Sequence, residues 1–96
     1  MLFMVIETFK AGGAKAAYRR FRDQGRLMPE GLAYHGSWVE ADLGRVFQLM
    51  ECEDARLLQL WVARWQDIVD FEIVPVVPSQ EASEALLPLL DDDGEA

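Results

Sequence analysis

The strand-like segments of this chain are apolar on both faces. Leu2 to Ile6 reads LFMVI, Val46 to Met50 reads VFQLM and Ile73 to Val77 reads IVPVV. A sheet covered by helices on one side only alternates apolar and polar residues along each strand. These segments do not, so something covers the second face. In a chain of 96 residues, the expected cover is a second copy of the chain.

The length fits one small domain with little surplus stability. A net charge of −8 argues against nucleic acid, which is bound through a surplus of Lys and Arg facing phosphate. It argues equally against anionic lipid. No apolar run approaches the roughly 20 residues that span a bilayer. The opening MLFMVIETFK has neither the basic flank nor the cleavage site of a signal peptide. Cys52 is the single cysteine, so no intrachain disulfide framework exists. The expectation is a cytoplasmic protein that binds neither nucleic acid nor membrane.

Along the chain, Leu2 to Thr8 reads as a strand. A helix follows from about Ala14 to Leu27, with Ala14, Ala17, Tyr18, Phe21 and Gly25 as its buried stripe. Pro29 and Gly31 break the chain. Ala33 to Glu40 and Arg45 to Glu51 form a hairpin. Asp54 caps a second helix from Ala55 to about Asp67, whose apolar face holds Leu57, Leu58, Trp61, Val62 and Trp65. Ile68 to Val77 is the fourth strand. The order β-α-β-β-α-β is the ferredoxin-like, split βαβ arrangement, an α+β fold with a four-stranded antiparallel sheet. Its second and fourth strands are edges, and Pro75 suits an edge. Residues 1–78 form this domain. Residues 79–96 add a short helix capped by Ser79 and an acidic tail, Asp91 to Asp93, expected to be disordered.

The strand pattern assigns Leu2, Met4, Ile6, Phe47, Leu49, Phe71 and Ile73 to the helix side. The far face then carries Phe3, Val5, Val46, Met50, Val74 and Val76, with Glu7, Gln48, Asp70 and Glu72 as its polar members. Burying the apolar six is worth on the order of 10 kcal/mol. Two sheets packed face to face bury them, so the expected assembly is a homodimer with a shared barrel.

The stretches YHGSW (Tyr34 to Trp38), RVFQLME (Arg45 to Glu51) and LLQLWVARWQDIVDFEIVP (Leu57 to Pro75) resemble an uncharacterised bacterial family, domain of unknown function 3303. So do the opening MLFMVIETFK and YRRFRDQGRLMPEGL. The resemblance extends to about Ser79. It implies a dimeric α+β barrel, a group that includes small monooxygenases, isomerases, dehydratases and proteins without known activity. It carries no catalytic residue with it, because fold is not function.

Candidate chemistry is sparse. His35, the only histidine, is either a general base or a half-exposed strand residue. No second histidine completes a metal site, and no G-x-S-x-G elbow is present. Glu7 is a carboxylate on an apolar surface, a setting that raises a pKa and favours proton transfer; the plain alternative is an interface pair with Arg45, backbone or water. Gln48 interrupts VF-LM where Leu or Val packs more simply. Trp38 either walls a cavity or covers the sheet edge. Glu51, Glu53 and Asp54 around Cys52 face a helix start rather than a metal, and Cys52 reads as a buried, inert thiol. Lys15, Arg19, Arg22 and Arg26 form a basic stripe on the first helix. It is either a solvated face or a docking strip for an anion, an acidic partner or the chain's own tail.

Two functions follow. One is a small-molecule site in the barrel interior, lined by Phe3, Val5, Trp38, Gln48 and Met50, with Glu7, Asp70 or Glu72 supplying polarity. It binds a small apolar or aromatic ligand, or carries out isomerisation or oxidation with no metal and no bound cofactor. The other is a noncatalytic dimer whose interface is filled. Cavity volume separates them.

Overall fold

The structure, a computed structural model, describes residues 1–91. Strand β1 (Leu2–Phe9) leads to helix α1 (Gly13–Gln24), the hairpin β2 (Ala33–Val39) and β3 (Arg45–Glu51), helix α2 (Arg56–Ala63) and strand β4 (Val69–Val76). A third helix, α3 (Ser79–Leu86), and one 3-10 turn (Leu87–Leu89) follow. The antiparallel sheet is ordered β2-β3-β1-β4. This is the ferredoxin-like arrangement read from the sequence, with β2 and β4 at the edges. Pro75 lies on β4, whose one strand neighbour is β1.

Helix α1 is shorter than its apolar repeat suggests. Gly25 takes φ 72° and its N–H bonds the Phe21 carbonyl at 2.8 Å, so the helix stops there, as glycine commonly permits. Gly25 is therefore a stop signal and not part of the buried stripe. At the other end, Gly13 sits against Ile68, the residue before β4: a Cβ there would lie 2.5 Å from the Ile68 carbonyl oxygen. Asp54 Oδ1 accepts the Arg56 N–H at 3.0 Å, a capping bond for α2. Past Ala63 that helix tightens into three-residue turns, with Arg64 N–H on Trp61 O and Trp65 N–H on Val62 O, both at 3.0 Å.

The largest correction concerns the faces of the sheet. The ladder sets Val5 opposite both Gln48 and Ile73, and Phe3 opposite Met50. Directly opposed residues share a face. Ile73 and Phe71 do pack on the helix-side core, and so they carry Phe3, Val5, Val46, Gln48, Met50 and Glu7 with them. The strand pattern assigns those residues to the far face; they lie under the helices instead, where Val5 and Met50 are fully buried. The outer face carries Leu2, Met4, Ile6, Phe47, Leu49, Val74 and Val76, together with Asp70 and Glu72. The reason is that the middles of β1 and β3 are apolar at both parities and hold no signal for which side is in; Thr8, Arg45 and Glu51, on the outer parity, stand only at the strand ends. Strand β4, with charges at Asp70 and Glu72, does hold one, and its assignment stands.

The outer face remains apolar, with different members. Helix α3 does not cover it, since every residue of α3 is exposed. The acidic tail beyond Asp91, expected to be disordered or to lie on the basic stripe, falls outside the described residues.

A bulge shapes β2. Tyr34 pairs with Met50 and Gly36 with Leu49, so His35 is an extra residue. The bulge changes the parity of the strand. Tyr34 and Ser37 therefore both face the helices, and their hydroxyls share a hydrogen bond of 2.7 Å.

Candidate functional site

Helix α1 presents Ala17, Tyr18 and Phe21 to the sheet, as their spacing predicts. Ala17 is buried, but Tyr18 and Phe21 are 47% and 38% exposed, because the sheet does not close on them. Between α1 and the strands lies an open cleft of about 130 Å³. Phe9, Tyr18, Phe21, Trp61 and Trp65 form most of its aromatic lining, and Val39 and Val46 its aliphatic part. Its polar groups are Glu7, Gln48, Ser37 and Arg26. A cavity of about 150 Å³ holds a benzene molecule, so this one suits a single ring or its equivalent.

Glu7 and Gln48 form the floor. Both are 8% exposed. Glu7 stands on β1 opposite Val46, and Gln48 on β3 opposite Val5, so the two are diagonal neighbours on one face. That separation is within reach of long side chains. The Gln48 amide donates to Glu7 Oε2 in a short hydrogen bond. Burial pushes the Glu7 carboxyl up from 4.5 to about 7, against the opposing pull of the Gln48 amide and of the Arg26 charge. A carboxyl poised there exchanges a proton readily at neutral pH. The other end of the amide, Gln48 Oε1, is buried and has no hydrogen-bond partner. Such an acceptor costs about 1–3 kcal/mol while it stays unpaired.

Arg26 stands at the mouth. The sequence places it on the basic stripe, read as either a solvated face or a docking strip for an anion or acidic partner; the structure sets Arg26 apart from the rest of that stripe, in the lining of the cleft. The residue follows α1, and its guanidinium carbon lies 3.7 Å from the centre of the Tyr34 ring and 4.9 Å from that of Phe21. Its backbone is held from α2 and the turns that follow it, where the indole N–H groups of Trp61 and Trp65 each donate to the Arg26 carbonyl at 2.9 Å. The two tryptophans belong to the core, as their four-residue spacing suggests. Their polar ends fix the cation of the cleft, and no local pattern in the sequence reveals that.

The remaining candidates separate. Phe3, Val5 and Met50 belong to the core cluster and do not line the cleft. Trp38 pairs with Phe47 on the outer face, lies over Gly36 and is 59% exposed. Asp70 and Glu72 are exposed on the same side as Trp38, and Asp70 lies 3.9 Å from Lys10. His35, at the bulge, places Nε2 2.7 Å from Glu51 Oε1, an exposed pair remote from Glu7. Of the residues singled out in the sequence, Glu7 and Gln48 are brought together in the cleft. Arg26 joins them from the basic stripe, and Ser37, which completes the polar side, carries no signal in the sequence.

Cys52 is buried, and desolvation pushes its thiol up, away from a reactive thiolate. Among the described residues no group of three or more His, Cys, Asp or Glu is placed to hold a metal ion. No helix among them is long and apolar enough to cross a membrane.

Compared with known proteins, residues 1–90 match a family model described as a domain of unknown function, DUF3303. Curated proteins and solved structures give no match.

Proposed function

Because the chain belongs to the DUF3303 family, a domain of unknown function, we propose its activity from its own geometry: the cleft under α1 binds a small, largely apolar or aromatic molecule, and Glu7 exchanges a proton with it. One observation carries this reading. A carboxyl held near neutrality by burial sits at the floor of an aromatic cleft, beside an amide oxygen with no partner. A structural ion pair would place a matching cation in hydrogen-bond contact with Glu7, whereas its partner here is the neutral Gln48. The reaction class that suits a lone carboxyl is isomerisation. Glu7 gives its proton to one position of the ligand and takes one back from another, with no net oxidant or reductant.

The test is a thermal-shift and tryptophan-fluorescence screen of one-ring molecules, with Trp61 and Trp65 as reporters in the cleft wall. Wild type should respond, Glu7→Gln should still bind, and Ala17→Leu, which fills the cleft, should not. If no one-ring compound changes either signal, or if the filled variant binds as well as wild type, the reading is wrong.

The second part of the proposal is a homodimer through the outer face. Seven apolar side chains from three strands stand there without cover, and monomeric proteins rarely expose so continuous a patch. Both faces being apolar explains why β1 and β3 fail to alternate. On this reading the dimer interface is a filled contact between sheets, and the ligand site lies on the other side of each sheet. A noncatalytic dimer remains the competing function, and the screen above decides between the two.

A further inference from the structure

Two groups in the cleft are incomplete, and they are chemically complementary to one class of molecule. The Arg26 guanidinium is stacked on Tyr34 and Phe21, and its side chain makes no hydrogen bond or ion pair among the described residues. Stacking occupies the faces of the planar group and leaves the in-plane N–H edges free, the edges that grip a carboxylate two at a time. Gln48 Oε1 is a buried acceptor that lacks a donor. Aromatic walls and a volume of about 130 Å³ supply room for a ring between the two.

Building on the ligand site proposed above, we propose that the ligand is a small aromatic acid. Its carboxylate is held by Arg26, and a hydroxyl or N–H elsewhere on the ring donates to Gln48 Oε1. The charges fit this assignment. Arg26 balances the bound carboxylate, and a second anion nearby disfavours ionised Glu7, so the site is neutral when Glu7 is protonated. Binding near pH 7 therefore takes up a fraction of a proton. It also gives the Gln48 oxygen the partner that the protein withholds.

The experiment is calorimetric titration of the full chain with 4-hydroxybenzoate, benzoate and phenol at pH 7, in two buffers of different ionisation enthalpy. The acid bearing both groups should bind at least tenfold more tightly than phenol, with net proton uptake. Arg26→Gln should remove that preference, bringing the hydroxy acid to within about threefold of phenol in the same variant. Arg22→Gln, an exposed arginine paired with Asp23, should change nothing. If phenol binds wild type as tightly as the hydroxy acid, or if Arg26→Gln leaves the preference intact, the acid assignment is overturned while the cleft remains a ligand site. If none of the three binds and the neutral screen is also silent, both proposals are overturned. Should Arg26→Gln fail to fold, the acid-to-phenol ratio in wild type decides the matter.

Discussion

Gln48 donates to Glu7 across the centre of the sheet although the residue opposite it in the ladder is Val5. The contact is a diagonal one, two residues along the partner strand, and it lies on the face that the helices cover. Two polar side chains thus share a surface that is otherwise hydrophobic, and each holds the other only partly. Glu7 is left near its neutral form, and the Gln48 oxygen is left bare.

Glu7 makes stability depend on pH in a direction unusual for a carboxylate. Its pKa is about 7 folded and near 4.5 unfolded, so the native state binds more protons between those values. Stability then falls as pH rises from about 4.5 to 7 and levels off above. At about 1.4 kcal/mol per pH unit, the loss is on the order of 3 kcal/mol. The facing groups are Gln48, whose amide favours the ionised form, and Arg26, whose charge does the same. Glu7→Gln should remove this slope and be more stable than wild type at pH 8. Denaturant melts across pH 5 to 8 measure it.

Gln48→Met keeps the length of the side chain and removes both its donor and its unpaired acceptor. Glu7 loses the hydrogen bond that lowers its pKa, so its titration should move above 7. Carboxyl carbon shifts followed by NMR read this directly. An unchanged midpoint would mean that the amide does not act on Glu7.

On the outer face, Phe47→Asp or Leu49→Asp places a charge in the apolar patch. The expected result is conversion of a dimer to a soluble monomer. Leu60→Asp, on the exposed side of α2, should leave the dimer intact. Light scattering over a dilution series measures the mass, and a monomeric wild type would refute the dimer outright.

Gly13→Ala should destabilise the fold by about 1–3 kcal/mol. The new Cβ meets the Ile68 carbonyl oxygen at 2.5 Å, and that oxygen also accepts the Lys10 N–H at 3.0 Å. Backbone on both sides leaves no flexible group to yield. Thermal unfolding compared with Gly12→Ala separates this close approach from the positive φ of 72° at Gly12.

Leu43 takes φ 61° in the β2–β3 turn and is 53% exposed. A leucine there carries backbone strain on the order of 1 kcal/mol. Leu43→Asn should stabilise the protein by up to about that amount, as read by the denaturation midpoint.

How much of this was legible depended on where polarity breaks the pattern. Asp70 and Glu72 alternate with Phe71 and Ile73, so β4 could be oriented from its residues alone. In the middle of β1 and β3 both parities are apolar, and the polar residues nearest the middle, Glu7 and Gln48, fall on the buried parity, while Thr8, Arg45 and Glu51 mark the outer one only at the strand ends. A reading that sends polar groups outward inverts those strands. The bulge at His35 left no local mark strong enough to reverse the parity of β2, so the meeting of Tyr34 with Ser37 stayed hidden. The role of Arg26 depends on Trp61 and Trp65, more than thirty residues away, and helical spacing places those rings without saying where their N–H groups end. The apolar stripe of α1 was visible. Whether the sheet closes against it was not, because a cleft is a property of the distance between elements.

The two-sided strands also limit how this protein can change over time. On an ordinary half-buried strand, every second position drifts among polar residues with little consequence. Along β1 from Leu2 to Glu7 there is no such position: one parity fills the core or the cleft floor, and the other forms the outer apolar surface. The freedom to vary is displaced to the hairpin turn, the outer side of the helices and α3, all of which stand in solvent. Sequence divergence among relatives should be concentrated there, with the central strands the slowest part of the molecule to change.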